Sequence, residues 1–111
     1  MIEKIVLNYL NDTTKIQAYT EKEENMPEEY FLIEKIGSSE ENHIKQATIA
    51  IKSYSTSLYK TALLNEELKK IMKRIIELYE VSRCSLNSDY PYSDTTRKEY
   101  RYQAVFDITY F

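Results

Sequence analysis

Hydrophobic and polar positions along this chain follow two different periods, and the switches between them mark out its elements. In MIEKIVLNYL (1–10), Ile2, Ile5, Val6, Tyr9 and Leu10 fall on one helical stripe. Asn11 and Asp12, poor helix formers, are expected to end it. KIQAYT (15–20) reads as a short strand, and the acidic run EKEENMPEE (21–29), with Pro27 and no apolar period, as a solvated loop. YFLIEKI (30–36), rich in aromatic and β-branched residues, predicts a strand. GSSEENH (37–43) has the composition of a turn. In IKQATIAIKSY (44–54), Ala47, Ile49 and Ile51 face one side, with Gln46, Thr48 and Lys52 opposite, which predicts an antiparallel hairpin with the strand before it.

The period then changes from two to 3.6. From about Ser57 to Val81, the positions Leu58, Ala62, Leu64, Leu68, Ile71, Met72, Ile75 and Tyr79 form an apolar stripe, with Glu66 before Lys70 and Lys73 before Glu77 on the outer face. SRCSLNSDYPYSDTTR (82–97) starts as a strand and becomes a loop at Pro91 and its Ser/Asp/Thr cluster. KEYRYQAVFDITYF (98–111) returns to period two. Tyr100, Tyr102, Ala104, Phe106, Ile108 and Tyr110 point one way, and Arg101, Gln103, Val105, Asp107, Thr109 and Phe111 the other. The sum is a single α+β domain over residues 1–111: an antiparallel sheet of four to five strands, one long helix packed on a face, and a short N-terminal helix.

Composition narrows the function more than the fold. The 111 residues are 42% hydrophobic and 30% charged, ordinary for a globular chain. No apolar run is long enough for a membrane span and no leader precedes a cleavage site, so the expected setting is a cytoplasm, with no membrane partner. Without a secretory signal, the acceptor triplet Asn11-Asp12-Thr13 reads as chance. Net charge is −3, with fifteen basic residues interspersed among eighteen acidic ones, which argues against a dedicated nucleic-acid binder. Gly occurs once, Trp never and Tyr eleven times. One glycine leaves little room for a phosphate-cradling loop. Tyrosine, an apolar ring with a polar tip, suits surfaces that become buried when subunits meet.

The search for chemistry yields little. His43, the only histidine, lies in a polar turn and reads as solvated. Cys84 is alone, which excludes an internal disulfide and a thiolate metal cluster; it could be a nucleophile if a base approached it, though a structural thiol is the commoner role. Asp89 and Asp94 flank Tyr-Pro-Tyr and could hold a cation or act as an acid/base pair, though Asp beside Pro is more commonly a turn former. Ser55-Thr56-Ser57 could receive an anion at the helix start, though capping uses the same residues. No Walker loop, dinucleotide fingerprint or zinc spacing is present. No catalytic residue, cofactor or metal is assigned.

YFLIEKIGS, IKQATIAIKSYSTS running into the helix, SDYPYSD and the closing YRYQAVFDITYF together resemble the tail terminator (tail completion, head–tail joining) proteins of long-tailed bacteriophages. The resemblance covers residues 30–111, and Arg101-Tyr102-Gln103 after a Pro-containing loop is its sharpest piece. It implies a non-catalytic, structural subunit of a phage or prophage virion, made in the bacterial cytoplasm. Such a subunit forms a ring, typically a hexamer, and can stay monomeric until it meets the tail tube. The ring halts tube polymerisation and joins tail to head, so its partners are its own copies, the tail-tube protein and a head-completion protein. On this reading Tyr90, Tyr92, Arg101, Gln103, Val105, Asp107 and Phe111 are subunit or tube contacts, while Glu21, Glu23 and Glu24 face a channel whose carboxylates repel passing DNA. A head-completion stopper or a tube subunit would leave similar traces. The rivals are a small cytoplasmic interaction module that binds a peptide at its sheet edge, and an enzyme or small-molecule binder using the Asp89–Asp94 loop.

Overall fold

The computed structural model describes residues 1–94 and 96–111. Helix α1 spans Ile2–Thr13 and is followed by strand β1 (Gln17–Tyr19), strands β2 (Tyr30–Glu41) and β3 (Ile44–Ser55), helix α2 (Leu58–Lys73), a 3-10 turn (Ile75–Glu77), and strands β4 (Val81–Pro91) and β5 (Tyr100–Tyr110). The sheet order is β1-β2-β3-β5-β4. The fold is α+β, as the sequence predicts, but the sheet is mixed. β1 runs parallel to β2, while every other pair is antiparallel.

Both helices lie on one face of the sheet and close a single core. Ile2, Val6 and Leu10 of α1 meet Leu64, Leu68 and Met72 of α2 over Phe31, Ile33, Ile49, Ile51, Ala104, Phe106 and Ile108. The even-numbered face of β5 thus covers the core from Ala104 to Tyr110. Each large apolar side chain withdrawn from water here contributes roughly 1.5–3 kcal/mol before entropy is counted. Tyr9 joins the helices by donating its hydroxyl to the Ile71 carbonyl at 2.7 Å.

Several boundaries differ from the sequence reading. Asn11 and Asp12 stay inside α1, because the Asn11 Oδ1 accepts the Ala18 N–H at 2.8 Å and so links the helix end to β1. The 37–43 turn contracts to Asn42-His43, both left-handed with φ of 50° and 66°, and Gly37–Glu41 pairs with Ile44–Thr48. Two central residues with positive φ match the twist of a tight hairpin. The result is a hairpin arm laid along the sheet: residues 34–46 are exposed along both strands, yet Lys45 and Gln46 still pair with Tyr110 and Thr109 of β5. Only the Glu41–Ile44 end passes beyond the sheet, and the molecule measures 46 × 26 × 24 Å. β4 continues to Pro91, because an edge strand tolerates proline at its end. α2 ends at Lys73, and two members of its predicted stripe are exposed: Leu58 and, beyond the helix, Tyr79. Thr61, Leu64, Asn65, Leu68 and Met72 form its buried face. Its charges pair three residues apart, Glu66 with Lys69 at 2.8 Å, with Arg74 just past the helix pairing Glu77 at 3.0 Å.

Candidate functional site

The residues considered for chemistry are dispersed by the fold. His43 lies at the tip of the arm, exposed. Asp89 points toward the helix side, where its Oδ2 accepts from the Asn65 amide at 2.9 Å and the Lys69 ammonium at 3.0 Å. Asp94 instead closes its own turn, accepting the backbone N–H groups of Thr96 and Arg97 and the Thr96 hydroxyl. Those bonds hold its carboxyl below the usual carboxylate range, the Thr96 hydroxyl contributing most. The two aspartates therefore serve different local jobs. Ser57 caps α2, its hydroxyl accepting the Lys60 N–H at 3.1 Å, while Ser55 donates to Glu29 at 2.8 Å. The Cys84 thiol is half-buried between β4 and α2, and burial with the nearby Asp107 charge pushes it up to about 11. Among the described residues, no three His, Cys, Asp or Glu side chains converge on a point that would hold a metal.

The fold does gather polar and aromatic residues on the sheet face that carries no helix. Gln103 lies opposite both Lys52 and Tyr90 and donates its amide to the Tyr90 hydroxyl at 2.6 Å. The Arg101 guanidinium lies 4.4 Å from the Tyr92 ring centre, with the Lys52 ammonium 5.6 Å from it, and Tyr90 meets Tyr92 edge to face at 6.5 Å. A cation over an aromatic face is held by the ring quadrupole. Arg101 also bonds Glu99, which pairs with Lys22 at 3.5 Å. Four of the predicted contact residues, Tyr90, Tyr92, Arg101 and Gln103, thus form one patch.

The other predicted contacts divide. Asp107 sits further along the same face, accepting from Thr48 and Asn87, each at 3.0 Å, beside a polar groove of about 430 Å³ that reaches Ser38, Gln46 and Arg83. Val105, expected to face a neighbour or solvent, is only 8% exposed, while Phe111 is 67% exposed. Glu21, Glu23 and Glu24 are exposed, yet the loop that bears them is tied down: Lys22 lies over the Tyr54 ring at 5.0 Å and Glu29 holds Ser55. Under that loop Tyr30 stacks on Tyr54 at 4.4 Å. Burial, then the neighbouring Tyr54, pushes the Tyr30 phenol up to about 12.

The sequence reading missed an apolar surface on the helix side. Leu58, Tyr59, Leu63, Ile76 and Tyr79 are all about half exposed or more, and a groove of about 760 Å³ runs between α1 and α2 past Tyr9, Leu63 and Ile71. The available signal was Leu63, which falls off the buried stripe. It invoked a sheet edge for docking without saying which strands would be outermost. β1 covers β2 only from Tyr30 to Leu32, leaving Ile33–Glu41 open, and β4 is open along its outer side. No helix is long and apolar enough to cross a membrane. A scan against protein-family models finds no match to this chain, and a search of curated proteins finds none either.

Proposed function

We propose that this chain is a ring-forming tail terminator of a long-tailed bacteriophage or prophage, a structural subunit that stops tail-tube polymerisation and joins the tail to the head. One observation carries the reading: the outer half of the β2–β3 hairpin, residues 34–46, is exposed on both faces, and β2 has no strand on its outer side beyond Leu32. β5 supports this half on the β3 side only, so β2 from Ile33 to Glu41 presents an open row of backbone N–H and C=O groups, a ready template for another chain. Its use lies in contact with other copies or with the tube. Phe111 and the tyrosine patch of Tyr90 and Tyr92 add exposed aromatic area of the kind that interfaces favour. Glu21, Glu23 and Glu24 are exposed on a fastened loop and, facing the channel, would keep DNA phosphates from adhering. The ring is made in the bacterial cytoplasm and ends in the virion at the head–tail junction.

The test is electron microscopy of tail tubes assembled from the tail-tube protein of the same phage or prophage. Added during assembly, the protein shortens the tubes and decorates one end as a ring. Tubes of unchanged length with bare ends would sink the reading. A second reading, an interaction module that takes an extended peptide along its sheet edge, is favoured by the open stretch of β2 from Ile33 to Glu41. It predicts binding of single peptides by a lone copy and no effect on tubes.

A further inference from the structure

We infer that neighbouring copies join edge to edge, the open stretch of β2 in one copy pairing antiparallel with β4 of the next to continue the sheet. This deepens the ring reading and rests on it for closure into a ring. The ladders across the sheet fix which residues of the two edges lie level. Val81 is opposite Tyr110, Tyr110 opposite Lys45 and Lys45 opposite Glu40; Asp89 reaches Ile33 in the same way through Ala104 and Ile51. The free part of β2 from Ile33 to Glu40 therefore spans the same height as Val81–Asp89 of β4, eight residues against nine because β4 carries one more register shift. β2 runs toward the arm tip and β4 away from it. Copies related by rotation about an axis along the strands keep that sense, so the two edges meet antiparallel with no flip, as a head-to-tail ring requires.

Two further features fit the pairing. Each edge carries a register shift at almost the same height, at Ile36 between Lys35 and Gly37 and at Asn87 between Leu86 and Ser88, while β4 has a second, at Ser82, that β2 does not match. Their charges are complementary: Arg83, in no ion pair among the described residues, is level with Ser39 and comes beside Glu40 and Glu41 of the neighbour. Below Ile33 the slot is filled by β1, so the pairing ends at Asp89, just before Pro91, which has no N–H to give.

The same levels place Ser38 of one copy opposite Cys84 of the next. Within one copy these positions are three strand spacings apart, roughly 14 Å, too far for a disulfide. Ser38→Cys, oxidised with copper phenanthroline and air, therefore tests the contact with the one native cysteine as its partner. The full chain is oxidised alone at high concentration and on tail tubes, then run on a denaturing gel, with circular dichroism confirming its fold. The expected result is loss of the monomer band into a covalent ladder, absent in Ser38→Cys with Cys84→Ser and in Ser39→Cys, which points to the opposite face. Capped tubes without that ladder overturn the edge pairing and leave the terminator reading standing. A ladder without capping does the reverse, and absence of both overturns both.

Discussion

The Asn65 side-chain amide donates to the Asp89 carboxylate at 2.9 Å, joining the buried face of α2 to the outermost strand of the sheet. Lys69 completes the contact from the next turn at 3.0 Å. Asp89→Ala removes one of the two carboxylates on Lys69, Glu66 remaining at 2.8 Å, and leaves the Asn65 amide, on a residue 1% exposed, without this partner. Expected is a loss of about 1–3 kcal/mol in urea unfolding. Asp94→Ala touches only a surface turn and should cost less, whereas equal losses would contradict the separate roles assigned to the two aspartates.

Alkaline stability should be set in part by Tyr30. The folded chain holds the phenol proton up to about pH 12, whereas the unfolded chain releases it near 10.0. The unfolded state thus binds fewer protons in that window, and rising pH favours unfolding. The stabilisation is whole below pH 10 and is lost as pH rises through 12. Tyr30→Phe should flatten the fall of the urea midpoint between these limits, with Cys84 contributing equally in both proteins. An unchanged slope would show that the buried phenol is not responsible.

Ser57 is the side-chain cap of α2, accepting the Lys60 N–H at 3.1 Å. Ser57→Ala is expected to lower stability by about 1 kcal/mol and Ser57→Gly by only a few tenths. Thermal melts of the pair settle this. A Gly variant as damaged as the Ala variant would point away from capping.

Val105 and Phe111 share one side of β5 yet should respond differently to a charge. Val105 is 8% exposed, so Val105→Asp buries a carboxylate and lowers the melting temperature. Phe111 is 67% exposed, with its backbone N–H donating to the Glu80 carbonyl at 3.0 Å, so Phe111→Asp should leave the fold intact and weaken self-association. Circular dichroism and light scattering, run together, separate the two. A folding defect in Phe111→Asp would remove it from the interface.

The sequence was most legible where a strong period had a core behind it. β3, the buried half of β5 and the middle of α2 follow their patterns because one face of each is covered by the other layer. The arm was illegible for the converse reason. Gly37, Ser38 and Ser39 are turn formers, and cross-strand pairing alone holds them extended, while the real turn uses Asn42 and His43. β1 is three residues long and parallel, and nothing local announces a partner that follows a ten-residue loop. Of the candidate site, Arg101 and Gln103 were readable from alternation along β5, whereas Tyr90 and Tyr92, read as flanking a loop proline, came from the resemblance of SDYPYSD and lie beside them through the β4–β5 pairing. The open edges were not readable, since which strand lies outermost depends on an order of strands that no window of residues contains.

Gly37, the one glycine, stands just past the shift at Ile36, on the open run of β2. A methyl group there would meet nothing within 4 Å, and the backbone lies outside the left-handed region, so neither crowding nor conformation demands a glycine. What the residue supplies is compliance. An alanine would stiffen the spot and raise stability by about 0.4–1 kcal/mol through the freedom it removes from the unfolded chain. That softness belongs to β2 alone, since β3 beside it is laddered to β5 from Lys45 onward, so the open side of this strand can flex at its shift and absorb misfit while the sheet behind it stays fixed.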